Sequence, residues 1–159
     1  MDIRVGLGHD IHALVEGREL WLGGEKIPFE KGLLGHSDAD ALLHAIMDAL
    51  LGALALGDIG RLFPDSDSAY KDIASSKLMQ IVVDKVENAG YQISNVDCII
   101  HAEKPKISPH RYRITSSIAS LLKIGADRVS VKSGTNEGFD AVGEQKAICC
   151  QAVVLLVKS

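Results

Sequence analysis

The stretch ADALLHAIMDALLGALAL, residues 39 to 56, constrains the fold more than any other. It is long, rich in Ala and Leu, and interrupted only by Asp40, His44 and Asp48. Those three fall at i, i+4 and i+8, so on a helix they form one polar stripe along an apolar rod. The interruptions exclude a membrane span. A helix this apolar has to be wrapped by the rest of the chain, and its buried polar stripe then needs partners. Ser37 or Asp38 is placed to cap the helix, and Gly57 lies just past its end.

The remainder of the chain supplies strands and helices to wrap it. IRVGLGHDIHAL reads as a β-strand ending near His12, and a short strand follows around Glu19 to Trp21, before the Gly23-Gly24 turn. GDIGRLFPDSD reads as a loop. A helix is expected from about Ser75 to Asn88, closed by Gly90, and another opens near Pro109 and ends near Gly125. YQISNVDCIIHAE, DRVSVKSGT and KAICCQAVVLLVK read as strands. The order predicts a single α/β domain (α+β type) over residues 1–159, with a mixed, four-stranded-type sheet and helices on one face. The last strand is apolar on nearly every residue, which implies cover on both faces. Helices cover one face, so a copy of the chain is expected on the other, giving a homo-oligomer.

Composition excludes several functions. The chain has 159 residues, 47% of them hydrophobic and 24% charged, with a net charge of −4. That balance fits a globular domain and opposes a nucleic-acid surface; aromatic residues at 4% leave no base-stacking platform. Three cysteines, Cys98, Cys149 and Cys150, form no disulfide framework and point to a reducing, cytoplasmic compartment. No N-terminal leader is read from the sequence.

Within GHDIHAL, Asp10 and His12 are two apart, so on a strand a carboxylate and an imidazole share one face. With His44 from the helix they make one carboxylate and two imidazoles. Three protein ligands with an open fourth position is the pattern of a catalytic zinc site. The same residues also read as a solvated strand end and a hydrogen-bonded helix histidine, and spacing alone leaves both open. His36, ahead of the helix, either holds an anion with the helix N-terminus or is a solvated neighbour of the cap. Thr135 and Glu137 read as a phosphate and hard-cation site or as an ordinary hairpin end. Lys104 and Lys106 suit phosphate or are merely solvated. Neither a Ser-His-Asp nor a Cys-His triad is present, and no P-loop.

Taken together the motifs are specific. D-x-H, H-S-D-x-D-x-x-x-H, G-D-I-G-x-L-F-P-D, K-x-x-P-H and T-x-E follow one another along the chain. In this the sequence resembles the 2-C-methyl-D-erythritol 2,4-cyclodiphosphate synthases of the non-mevalonate isoprenoid pathway, from Ile3 to Lys158. The resemblance implies a cytoplasmic homotrimer with active sites between subunits, and a lyase that closes a cyclic diphosphate and releases CMP. It implies zinc (or manganese) on Asp10, His12 and His44, and magnesium on Glu137. It makes His36 and Thr135 the phosphate-gripping, catalytic positions, with Ser37 beside them. Asp58, Ile59, Gly60, Phe63 and Asp65 would hold the methylerythritol part. Ala102, Lys104, Pro105, Lys106, Ile107 and Ser108 would hold cytidine from a neighbouring subunit, with Gly134 nearby. The chain departs from some members at Val142, where they carry an arginine facing the trimer axis. A zinc phosphohydrolase or a non-catalytic trimeric metal-binding protein are the alternatives.

Overall fold

A computed structural model describes residues 1–159. The chain order is β1 (Ile3–Glu16), β2 (Leu20–Leu22), β3 (Glu25–Ile27), β4 (Lys31–Leu33), α1 (Ala41–Ala53), α2 (Ile59–Leu62), α3 (Ser75–Asn88), β5 (Tyr91–His101), α4 (Arg111–Leu122), β6 (Val129–Gly134), α5 (Asp140–Gly143) and β7 (Ala147–Lys158). The sheet has five strands in the order β4-β1-β7-β5-β6, with β2 and β3 paired separately as a hairpin. Only β5 and β6 run parallel; β7 runs antiparallel to both β1 and β5. The sheet is therefore mixed, as expected, but one strand wider than the four-stranded form, because the three-residue β4 adds to the far end of β1. Elements as short as β3, β4, α2 and α5 carry too few residues for a periodic signal.

The apolar helix α1 is the centre of the core. Leu42, Leu43, Ile46, Met47 and Leu50 are fully buried, each contributing about 1.5–3 kcal/mol over an exposed side chain. How closely α1 lies on the sheet is set by β1. Gly6 and Gly8 present no side chain to the helix, and a Cβ on either would stand 1.7 Å from the backbone oxygen of Ala49 or Ala45. The facing helix positions are alanines, so helix and strand backbones touch. Alternation then puts Gly6, Gly8, Asp10 and His12 on the helix side of β1.

Two boundaries differ from the sequence reading. β1 does not end at His12; it continues to Glu16, exchanging β7 for β4 as partner after Ala13. The cap of α1 is neither Ser37 nor Asp38 but Asp40, whose carboxylate accepts N–H bonds from Leu43, Gly23 and Gly24 at 2.7–2.9 Å. Asp40 is fully buried, and burial pushes its carboxyl above the usual range, the surrounding N–H groups acting against that shift.

The other face of the sheet is uncovered within one chain. Ile3, Val5, Leu7 and Ile11 of β1 and Val153 of β7 are exposed there. No helix is long and apolar enough to cross a membrane.

Candidate metal centre

Asp10 and His12 come from one strand face and His44 from the helix pressed against it. Asp10 Oδ2 stands 2.8 Å from His12 Nε2 and 3.0 Å from His44 Nδ1. The two facing ring nitrogens are 3.4 Å apart, and one ligand atom from each residue lies within 4.8 Å of the others. Such a carboxylate and two imidazoles can hold a divalent cation. The outward nitrogens are already committed. His12 Nδ1 donates to the Leu34 carbonyl oxygen at 2.9 Å, and His44 Nε2 lies 2.9 Å from Ser75 Oγ and 3.3 Å from Ser37 Oγ. This bonding leaves His12 Nε2 and His44 Nδ1 to face Asp10, which they hydrogen-bond in the metal-free chain; with a cation bound, their lone pairs would face it, as a metal ligand set requires.

Charge is consistent with that arrangement. Burial would raise the Asp10 carboxyl, but hydrogen bonds from His12 and His44 outweigh it and hold it at about 2. Burial would likewise lower His12, and the Asp10 carboxylate raises it instead. Four residues beyond His44 on α1, Asp48 accepts the Ile59 N–H at 2.8 Å and fixes the start of α2 over the centre; its carboxyl is pushed up by burial.

The centre opens into a cavity of about 280 Å³ that is also lined by Gly35, His36, Ser37, Ile59, Gly60, Phe63, Asp65, Tyr70 and Leu78. One chain thus brings nine of the sequence-selected residues together. His36 Nε2 is buried without a hydrogen-bond partner, a polar group left unsatisfied in one chain. Asp58 is not in the wall; its carboxylate accepts the Arg61 N–H at 3.0 Å and caps the one-turn α2. Ser75, Tyr70 and Leu78 escaped sequence reasoning, since nothing in their local spacing ties them to Asp10 or His44. A second cavity of about 470 Å³ lies behind the same loop, against Arg18, Trp21, Asp38 and Asp72, and gathers no ligand triad.

The remaining selected residues form a separate group at the far edge of the sheet. Ala102 donates its N–H to the Gly134 carbonyl oxygen at 3.0 Å, and Glu103 accepts from Asn136 N at 2.8 Å. These bonds join the loop bearing Lys104, Pro105, Lys106, Ile107 and Ser108 to the loop bearing Thr135 and Glu137. Glu137 is held at φ 53°, a left-handed conformation uncommon outside glycine and frequent at ligand sites. Lys104, Lys106, Thr135 and Glu137 are all exposed. Between β1 and β6 lie β7 and β5, so the two groups are three strand spacings apart, roughly 14 Å. One chain does not bring them together.

Fold and centre together define an α/β protein with an Asp-His-His triad that could hold a divalent cation and that opens onto a cavity. The YgbB family matches residues 3–157; the chain belongs to that family. It is 53% identical to the 2-C-methyl-D-erythritol 2,4-cyclodiphosphate synthase of Clostridium perfringens, over 98% of this chain and 100% of that protein. With the synthase of Gloeobacter violaceus it shares 54% identity over 98% of its length and 95% of that protein's. Among solved structures, a 2C-methyl-D-erythritol-2,4-cyclodiphosphate synthase in a CDP-bound form superposes with a TM-score of 0.90 at 39% identity, covering 97% of this chain and 100% of the other. The bifunctional IspDF of Campylobacter jejuni gives 0.95 at 36% identity over 99% of this chain, which spans 43% of that longer protein.

Proposed function

We propose that the chain converts 4-diphosphocytidyl-2-C-methyl-D-erythritol 2-phosphate into 2-C-methyl-D-erythritol 2,4-cyclodiphosphate and CMP, within the non-mevalonate isoprenoid pathway. The observation that carries this is the Asp10–His12–His44 centre opening onto the His36 cavity, in a chain similar over its whole length to synthases of that name. A 2-phosphate oxygen attacks the β-phosphorus, the bond from that phosphorus to the bridging oxygen breaks, and CMP leaves with the bridging oxygen. Nucleophile and electrophile are on one molecule, so the chain's task is to fold the substrate and offset its charge; proximity alone is worth several kcal/mol. A phosphate is already a nucleophile, which is why no general base is needed.

Zinc or manganese on the triad and magnesium on Glu137 would supply positive charge to the phosphate oxygens as negative charge develops. His36, with its unpartnered Nε2, grips phosphate together with Ser37, and Thr135 steadies the same group from the far side. Ile59, Gly60, Phe63 and Asp65 enclose the methylerythritol part, with Asp58 at the edge, and Lys106 neutralises diphosphate charge beside the cytidine pocket of residues 102–108. Because the two groups lie apart in one chain, a homotrimer joining the metal centre of one subunit to the Lys106–Glu137 group of its neighbour completes the site. The exposed apolar face of β1 and β7 gives that assembly its contact surface. Three free cysteines fit a reducing cytoplasm.

The test is turnover of this substrate by metal-loaded protein, followed by phosphorus NMR. CMP and the cyclic diphosphate rising together are the expected result. CMP with a linear phosphate product would make the chain a phosphohydrolase, and neither product, despite bound zinc, a binding protein.

A further inference from the structure

The geometry points to Ser75 as a positioning residue for the metal centre, acting through His44 and driven by the carboxylate of Asp38. Ser75 is fully buried at the start of α3, the only buried serine besides Ser37. Its hydroxyl lies 2.9 Å from His44 Nε2 and donates to Asp38 Oδ1, while its backbone N–H donates to Asp38 Oδ2 at 2.9 Å. The proton count closes in one way. Asp38 is an acceptor only, so the Ser75 O–H must point to it; the Ser75 oxygen is then an acceptor, so Nε2 of His44 carries the proton. That leaves Nδ1, which hydrogen-bonds Asp10 in the metal-free chain, as the nitrogen whose lone pair would face a bound cation. The chain of bonds fixes tautomer and ring plane together and makes the imidazole a better donor to a metal.

Three segments distant in sequence meet in this relay: the loop before α1, α1 itself and the start of α3. Asp72 N, three residues before Ser75, also donates to the His36 carbonyl oxygen at 3.0 Å. The α3 entry is thereby tied to both histidine-bearing parts of the cavity wall. Ser37 is the competing partner of Nε2, but its oxygen is farther, at 3.3 Å, and already accepts from Ala39 N.

This inference rests on the triad being a metal site, and the test separates the two. Zinc affinity is measured on the full chain by competition with a chromophoric chelator, for the wild type and for Ser75→Ala and Asp38→Asn. Both substitutions should weaken zinc binding by roughly 10- to 100-fold, and Ser37→Ala by less. In zinc-loaded wild type, the His44 Nε2–H proton should give a slowly exchanging, downfield NMR resonance that moves upfield in Asp38→Asn. Wild type that takes up no zinc overturns the reading of the centre itself. Wild type that binds zinc, with Ser75→Ala binding equally tightly, overturns the role of Ser75. If Ser75→Ala does not fold, the wild-type resonance decides, and a His44 Nε2–H in free exchange with solvent contradicts the relay.

Discussion

The two ends of the candidate site are built differently. At the β1–α1 end both ring nitrogens of His12 and of His44 and the Oδ2 of Asp10 have partners, and the groups sit within hydrogen-bond distance of one another. At the β5–β6 end the loops are tied together by Glu103 and Gly134, yet Lys104, Lys106, Thr135 and Glu137 point to solvent. A metal ligand set must be preorganised, because ring nitrogens and carboxylate must converge within a few tenths of an ångström. On the proposed reading these groups grip a flexible diphosphate, and they gain their partners only when the ligand and a second subunit arrive. The first end belongs to the fold of one chain; on the proposed reading the second is completed by assembly.

That contrast can be broken most severely at Gly8. A Cβ there meets the Ala45 oxygen at 1.7 Å, and since the clash is with helix backbone, Gly8→Ala should cost about 4 kcal/mol or more. Thermal unfolding should show it, and an unchanged Tm would mean that α1 is not seated on β1 as described. His44→Ala removes a ligand without disturbing the ladder. Zinc at full stoichiometry and turnover should both be lost while the oligomer survives; retained zinc would remove His44 from the ligand set. Glu137→Gln acts at the open end, so zinc content should stay the same and only the magnesium needed for half-maximal turnover should rise. An unchanged magnesium titration would release Glu137 from that role.

A smaller effect sharpens the picture of the closed end. In metal-free protein the Asp10 carboxyl is held at about 2 against an ordinary 3.8, so its contribution to stability, about 2 kcal/mol, is complete above pH 4 and lost as pH falls toward 2. His12 is raised above its ordinary 6.5, so its share is present below that pH and lost as pH rises through the raised value. Metal-free wild type should gain most over Asp10→Asn between about pH 4 and 6.5. A difference independent of pH across that range would show that the carboxylate–imidazole contacts do not form.

What was legible in the sequence follows the same division. The alternation of β1 placed Asp10 and His12 on one face, and the polar stripe of α1 marked His44, because both depend only on local period. Spacing could not say that the strand meets the helix; the pairing of Gly6 and Gly8 with Ala45 and Ala49 does that. Capping was misread because three acceptors, Ser37, Asp38 and Asp40, stand close together, and the choice among them was made by distant groups: Gly23 and Gly24 claim Asp40, and Ser75 claims Asp38. Ser75 itself lies 31 residues from His44, beyond the reach of any local pattern. The fifth strand and α2 were missed for want of length. Lys106, Thr135 and Glu137 could be read from their residue types as phosphate and hard-cation groups, but an ordinary solvated loop fitted equally well, and only the resemblance chose between the two.

The most direct test of a site shared between subunits is complementation. His44→Ala and Lys106→Ala protein are each purified, shown to be strongly impaired, then dissociated, mixed in equal amounts and reassembled. If each site takes its metal centre from one subunit and its Lys106 group from the next, random mixing leaves roughly a quarter of the sites intact, and activity should return to that level. Mixed protein no more active than its parents would contradict the account and place the whole site within one chain.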